Sequence, residues 1–453
     1  MFDLELYRSA VRSPSGDSLE WNSGILMIKK FPYRHRVLIL LFFLIFITYL
    51  DRVCISLVGV RIKSAFHLSN EQFGWVLGAF ALAYALFEIP SGMMADRIGQ
   101  RAVFIRIVLW WSLFTVLTGA VTGLTSLMLV RFLFGMGESG AYPTSSSTIA
   151  RWFPVTETGR SMSALFIGQN AGAAIAPLIV VPIAIYFGWR APFFVNGLIG
   201  LIWVLVCWLW FRNEPSQMKG IPKEEIILIE EKRRFLQHKD PFPWSAVLSN
   251  WRIWAVLAGF FCSQWGLYFF VAWMPVYLQQ GRHLSENQMK LVTSSLFVLA
   301  MGSALLSGIL NDWLMKKKGL VFARRFVGML GLGMSGLFLI VTASSTSNYI
   351  AVSSLLICGF FYSFYSITAF STCVDIGGAK AGTMAGIMNF CGQIGAFFLS
   401  VVFGKIADAV HNYNTPVLLI AGILITGSIV WLGIDPANKI ENLKSDYINN
   451  KGN

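Results

Sequence analysis

Apolar residues along this chain do not alternate with polar ones; they run on. Residues 38–60 read "LILLFFLIFITYLDRVCISLVGV". Runs of this kind, each around 20 residues or longer, begin near Val37, Phe73, Val103, Ser126, Ser161, Ala191, Trp251, Lys290, Val321, Tyr349, Gly382 and Thr415. At 1.5 Å per residue, about 20 residues match a hydrocarbon core about 30 Å thick. Lipid offers no partner to a bare backbone N–H or C=O, so unbroken runs cross as helices, whereas barrel strands alternate. The pattern predicts an all-α membrane protein of twelve transmembrane helices in two pseudo-symmetric six-helix bundles. Its longest polar interruption, residues 212–250, follows the sixth run. There "PKEEIILIEEKRRFLQ" reads as an amphipathic surface helix with acids ahead of bases. The expected division is a tail 1–36, a bundle 37–211, a linker 212–250, a second bundle 251–435 and a tail 436–453.

Composition sharpens this picture. Hydrophobic residues make up 55% and charged ones only 13%, and the mean hydropathy is +0.62, values that suit a polytopic membrane protein. The net charge of +13 does not mark a nucleic-acid surface, because of where it sits. With a cytoplasmic N-terminus, 27 of the 36 Lys and Arg fall on inside segments and 6 on outside ones; the others are Arg52, Arg131 and Arg252. This is the positive-inside bias, and it places both termini in the cytoplasm. The first run is too long for a cleaved signal and lacks a small-residue cleavage site. Cys54, Cys207, Cys262, Cys358, Cys373 and Cys391 all lie in apolar runs without paired spacing, as packing residues do. No Asn-x-Ser/Thr sequon occurs and the outside loops are short, which fits a bacterial inner membrane.

The halves repeat. "SGMMADRIGQR" follows the second run and "SGILNDWLMKKKG" the eighth. Both read Ser-Gly-x-x-x-Asp, with Gly92 and Asp96 in one, Gly308 and Asp312 in the other. Two parallel halves around a central site give such a repeat. Gly admits close helix contact, and an Asp at that end can accept from a neighbouring helix N-terminus or an Arg. Gly92, Asp96, Arg97, Arg101 and Asp312 are thus expected to gate the conformational change. "GMMADRIGQR" resembles the loop signature of the major facilitator superfamily. "YLDR", "RFLFGMGESGAYP", "GWR" and "GTMAGIMNFCGQIGA" resemble its anion:cation symporter branch, with the likeness running from about residue 35 to 435. Thr48 stands where many relatives have Asn, and Gln100 where the signature is usually basic. The branch includes proton-coupled carriers of galactonate, glucarate and hexuronates.

The candidate chemistry lies in a few intramembrane charges. A central Asp or Arg costs about 2.5–3.5 kcal/mol to insert, so such residues default to function. Helical rise puts Arg52 about 22 Å into the core from the inside and Arg131 roughly 8 Å from the outside, at similar depth. Two guanidinium forks at one level suit a carboxylate. Glu138 lies two turns from Arg131 on the same face, and Asp51 points about 100° from Arg52. No histidine lies centrally, which leaves Asp51 and Glu138 as the expected proton carriers. Glu88, near the inner end of its run beside Pro90, reads as a gate or packing partner. Tyr84 follows a small-residue stripe inward, and Gln264 and Tyr268 share a face at four-residue spacing. The resemblance implies that Tyr84, Gln169 and Asn389 contact substrate hydroxyls and carboxylate.

The expectation is a secondary active transporter that imports a small organic anion, a sugar acid or related carboxylate, by proton symport through alternating access. It would act as a monomer in the lipid bilayer, with no cofactor but the proton, no metal and no nucleic-acid partner. An organophosphate or organic-anion antiporter and a non-transporting anion sensor are the alternatives. An enzyme is disfavoured, since the runs hold no nucleophile–base pair, metal cluster or phosphate loop.

Overall fold

The structure, a computed structural model, describes residues 31–232 and 243–440. The tails beyond these limits and the end of the "PKEEIILIEEKRRFLQ" segment lie outside the described residues. The described residues form helices without strands. Eleven of the helices are long and apolar enough to cross a membrane. The twelfth crossing is shared by Leu124–Glu138 and Ala141–Trp152. Ser139 and Gly140 between them keep right-handed helical dihedrals. Pro143 has no N–H to give the Ser139 carbonyl, which loosens the ladder just after Glu138.

In chain order the spans are Tyr33–Leu57, Asn70–Ile98, Gln100–Ala120, the split fourth, Thr158–Phe187 and Ala191–Trp210 in the first half. The second half has Trp251–Tyr268 with its continuation to Gly281, then Glu286–Lys318, Leu320–Ser344, Asn348–Gly377, Ala381–Val410 and Asn414–Val430. The continuation of span seven contains two π-helical stretches, Phe269–Trp273 and Tyr277–Gly281, separated by Met274–Val276. Between the halves the linker helix Lys223–Lys232 docks on the start of span one. Its Glu225 accepts the Tyr33 and Arg34 backbone N–H groups at 3.0 and 3.1 Å.

The repeat is stronger than the Ser-Gly-x-x-x-Asp pair. "HLSNEQ" (67–72) opens span two and "HLSENQ" (283–288) opens span eight. Each is a reciprocal capping box, with Ser69 and Gln72 in one and Ser285 and Gln288 in the other. The preceding His67 and His283 both take positive φ, 52° and 55°. At the other end of these spans the structure has almost no loop. Gly99 and Gly319 alone join span two to three and eight to nine, at φ 89°, ψ 149° and φ 85°, ψ 167°. That region is essentially open to Gly alone. The segment that resembles a loop signature, "GMMADRIGQR", therefore lies in the last turns of span two and the first turn of span three.

The halves meet along spans two and eleven and along spans five and eight. Span two approaches eleven through missing side chains. A Cβ on Gly74 would stand 2.4 Å from the Ser400 carbonyl oxygen, and one on Gly404 would stand 2.2 Å from that of Asn70.

On the face opposite Tyr33 the halves are also tied by charge. Arg61 grips Glu286 through two bonds of 2.8 and 2.9 Å. Asp408 of span eleven accepts the Asn70 and Glu71 backbone N–H groups at 3.1 and 2.7 Å, and the Asn70 side-chain amide at 2.6 Å. It thereby caps span two from the other half. Lys63 donates to Asn70 and, at 2.7 Å, to Gln280, and Tyr413 joins the same cluster. Burial pushes the Lys63 ammonium down to about 8, with the Asp408 carboxylate acting the other way.

Candidate functional site

Span one sets Asp51 and Arg52 back to back, and span four brings Arg131 and Glu138 against them. All four are almost fully buried, at 2, 6, 3 and 0% exposure. Arg52 Nε donates to Glu138 Oε1 at 2.5 Å, joining spans one and four. Its guanidinium also lies 4.6 Å from the Tyr84 ring centre, 4.9 Å from Tyr49 and 5.1 Å from Phe80. The Arg131 guanidinium lies 5.0 Å from the same Phe80 ring and 4.5 Å from Phe134. One aromatic ring thus serves both cations, which brings the two arginines into one neighbourhood. Ring faces stabilise a guanidinium without occupying its donors.

The pairing differs from a simple two-acid, two-base arrangement. Glu138 meets Arg52, but Asp51 bonds to neither arginine. It faces Asn196 of span six and Thr115 of span three, and neither of its oxygens has a hydrogen-bond partner. The 100° offset between neighbouring helix positions is the reason. Arg52 Nη2, Arg131 Nε and Glu138 Oε2 are likewise buried without partners. Buried donors in native structures are nearly always satisfied, so a cluster of unmet guanidinium N–H groups is a place for an acceptor.

The neutral residues form a second tier. Tyr84, nearly fully buried, stacks under Arg52. Gln169 of span five accepts from the Tyr142 hydroxyl. From the other half, Asn389 of span eleven donates to Glu88 Oε1 of span two at 2.5 Å. Gln264 is buried, and its side chain packs beside Gly392. Tyr268, one turn on, donates to Gln393 Oε1 at 2.6 Å, directly before the π-helical turn. Such turns recur at functional sites because the extra residue re-aims the side chains around it.

Sequence reasoning passed over Tyr49, Phe80, Tyr142 and Gln393. Helical spacing holds a signal for three of them: Tyr49 precedes Arg52 by three, Phe80 precedes Tyr84 by four and Gln393 follows Asn389 by four. Glu88 joins this tier through Asn389.

The residues expected to gate lie at the Tyr33 face. Gly92 lacks a Cβ that would stand 3.2 Å from Pro143 Cβ of span four. The side chain of Asp96 lies outside the described residues. Arg97 is exposed. Arg101 donates its backbone N–H to Asn213 at 2.8 Å and a side-chain N–H to the Trp208 carbonyl at 2.5 Å. Asp312 is exposed, and its neighbour Asn311 is the buried member. Asn311 donates to Thr368 and accepts from Arg324, which also pairs with Asp375 at 2.8 Å. Arg252 pairs with Asp435 near the end of the chain.

Comparison with known proteins agrees with this architecture. The family model of the Major Facilitator Superfamily matches residues 41–400. A probable sulfoacetate transporter of Cupriavidus necator is 31% identical over 413 residues, covering 90% of this chain and 96% of that protein. A D-galactonate transporter of Escherichia coli is 28% identical, covering 88% and 95%. A probable galactarate/D-glucarate transporter of Bacillus subtilis is 27% identical, covering 89% and 92%. Among solved structures, a bacterial homologue of the human lysosomal transporter Spinster, inward-facing and unoccupied, superposes with a TM-score of 0.71 at 18% identity, over 88% of this chain and 96% of that one. The chain is therefore a transporter rather than an enzyme, and it belongs to the major facilitator superfamily, in its anion transporter branch.

Proposed function

We propose that this protein imports a small organic anion, a sugar acid or related carboxylate, together with protons. The observation that carries the reading is the pair of buried arginines sharing Phe80, with guanidinium N–H groups that meet no acceptor. A carboxylate seated between them fills those donors in the forked geometry that guanidinium and carboxylate share. The substrates named for the relatives, galactonate, galactarate, glucarate and sulfoacetate, each carry a carboxylate. Tyr84, Gln169, Asn389, Gln264 and Tyr268 then contact the rest of the molecule. Asp51 and Glu138 carry the coupling proton. Ionised Glu138 holds Arg52, and protonated Glu138 releases it to the substrate. The positive-inside bias supports a cytoplasmic Tyr33 face, and the reading includes a bacterial inner membrane and a monomer.

A panel of ligands tests the substrate class. Ligand that binds only the native state raises stability by RT ln(1 + [L]/Kd), about 2.7 kcal/mol at a hundredfold excess over Kd. Purified protein is expected to melt several degrees higher with six-carbon sugar acids and to show no shift with phosphorylated sugars. Stabilisation by the phosphate esters alone would replace this reading with an organophosphate antiporter.

Alternating access needs a latch on each side. On the far face the latch is Asp408 on the Asn70–Glu71 N-terminus, with Arg61–Glu286 and Lys63 around it. At the Tyr33 face Gly92, Asp96, Arg97, Arg101 and Asp312 take that part. Asp408→Ala removes a charged cap worth about 1–2 kcal/mol. It is expected to widen the far-face distance between spin labels on spans two and eleven, and Asp96→Asn to slow turnover more than it weakens binding. pH acts through Lys63. An ammonium at about 8 in the closed form and at its ordinary 10.5 when solvated makes closure more favourable as pH rises from about 8 to 10.5. Below about 8 both forms are protonated and pH has no leverage. An interspin distance unchanged in Asp408→Ala would contradict the far-face latch.

A further inference from the structure

Glu88 is the one buried acid of this cluster that the coupling scheme leaves without work. It stands one helical turn past Tyr84 on span two, the turn that carries the ring beneath Arg52. It is 5% exposed. Its Oε1 accepts from Asn389 of the opposite half at 2.5 Å, and its Oε2 meets no partner. No ion pair within 4.0 Å joins it to the arginines; Arg52 is held by Glu138 instead. A glutamine would keep the bond to Asn389 at no cost in buried charge, so packing does not explain an acid here. The position explains it better. Tyr84 lies against Arg52 and Glu88 is one turn further along the same helix, beside Asn389, so an extended substrate held at Arg52 that follows this face of span two meets Glu88.

We propose that Glu88 is a specificity-determining residue that reads this far end, accepting a hydrogen bond from a hydroxyl and excluding a second anionic group. The site then takes hydroxylated monoanions, the aldonic acids, and rejects dianions such as aldaric acids and sulfoacetate. With Glu88 ionised, two like charges about 4–6 Å apart in a partly shielded site repel strongly enough for discrimination of roughly tenfold or more. The unmet Oε2 is the acceptor left for the substrate hydroxyl. The inference rests on the two-arginine anion site proposed above.

The test uses pairs of ligands that differ only at the last carbon: galactonate against galactarate, and gluconate against glucarate, with sulfoacetate as a short dianion. Equilibrium binding to the purified full chain is measured for the wild type, Glu88→Gln and Glu88→Asp. The wild type is expected to bind the better aldonate at least tenfold more tightly than its aldarate. Glu88→Gln is expected to narrow that gap to threefold or less, mainly by gaining the aldarate, and Glu88→Asp to keep most of it. Equal binding of both members by the wild type overturns the proposal. So does a gap that survives in Glu88→Gln, which would leave Glu88 as a gate or packing partner. The two readings fail differently. Binding that depends on Arg52 but ignores the far end overturns this inference alone. No binding by any of these anions, or binding untouched by Arg52→Ala, overturns the anion site as well.

Discussion

Arg131→Ala is expected to abolish anion uptake, by a hundredfold or more, in a protein that folds as the wild type does. A charge-assisted, two-bond contact to a carboxylate contributes about 3–5 kcal/mol, and 1.4 kcal/mol is a factor of ten. Arg131 is the cleaner of the two arginines to remove. It leans on Phe80 and Phe134, and its Nε is unpartnered, so its loss strands no acid. Arg52→Ala is expected to be as inactive but less stable, because it leaves buried Glu138 without its 2.5 Å partner, a loss of about 3–5 kcal/mol. Lysine at either position keeps the charge and loses the fork, and is expected to restore little transport. Uptake into proteoliposomes beside a thermal melt separates the two effects. Near wild-type transport by Arg131→Ala, with the protein folded, would remove the anion site from this account.

The second large effect concerns coupling. Glu138→Gln mimics the neutral form of the acid and is expected to release Arg52 permanently. The variant is then expected to bind anion with less dependence on pH and to exchange labelled for unlabelled substrate across the membrane. It is expected to lose proton-driven accumulation, since it no longer carries a proton. Asp51→Asn is expected to share part of this behaviour. Asp51 lies on the other side of span one, facing Asn196 and Thr115, yet Glu138 and Arg131 are near enough to couple the two acids as one titrating group. Counterflow and proton-driven uptake in the same vesicles give both readings. Full accumulation by both amide variants would leave these acids as structural partners of the arginines.

The fold was legible because lipid leaves the chain few options. Continuous apolar runs have to be helices, and a repeated signature has to reflect two related halves. The fourth span shows where this stops. Its composition reads as one helix, but Pro143 loosens it after Glu138 and the crossing is made by two pieces. Gly99 and Gly319 show the same limit from the other side. Ser-Gly-x-x-x-Asp reads as a helix end, but the pattern does not say that one Gly, in a conformation closed to other residues, is the whole connection to the next span. In the site, helical rise suggested that Arg52 and Arg131 lie near one another. It could not say that Phe80 lies against both, that Glu138 pairs with Arg52, or that Asn389 reaches Glu88 across the halves. Those contacts depend on how spans one, two, four and eleven rotate against each other, and rotation is fixed by packing between helices rather than by any one run.

Proton movement accompanying substrate is the most direct measure of symport. Weakly buffered proteoliposomes holding the wild-type protein and a trapped pH indicator are given a preferred aldonate on the outside, with no pH gradient imposed. The lumen is expected to acidify as the anion enters, with the proton signal saturating at the same substrate concentration as uptake. In Glu138→Gln vesicles the label is expected to exchange without that signal. Anion entry into wild-type vesicles with no acidification would contradict proton symport.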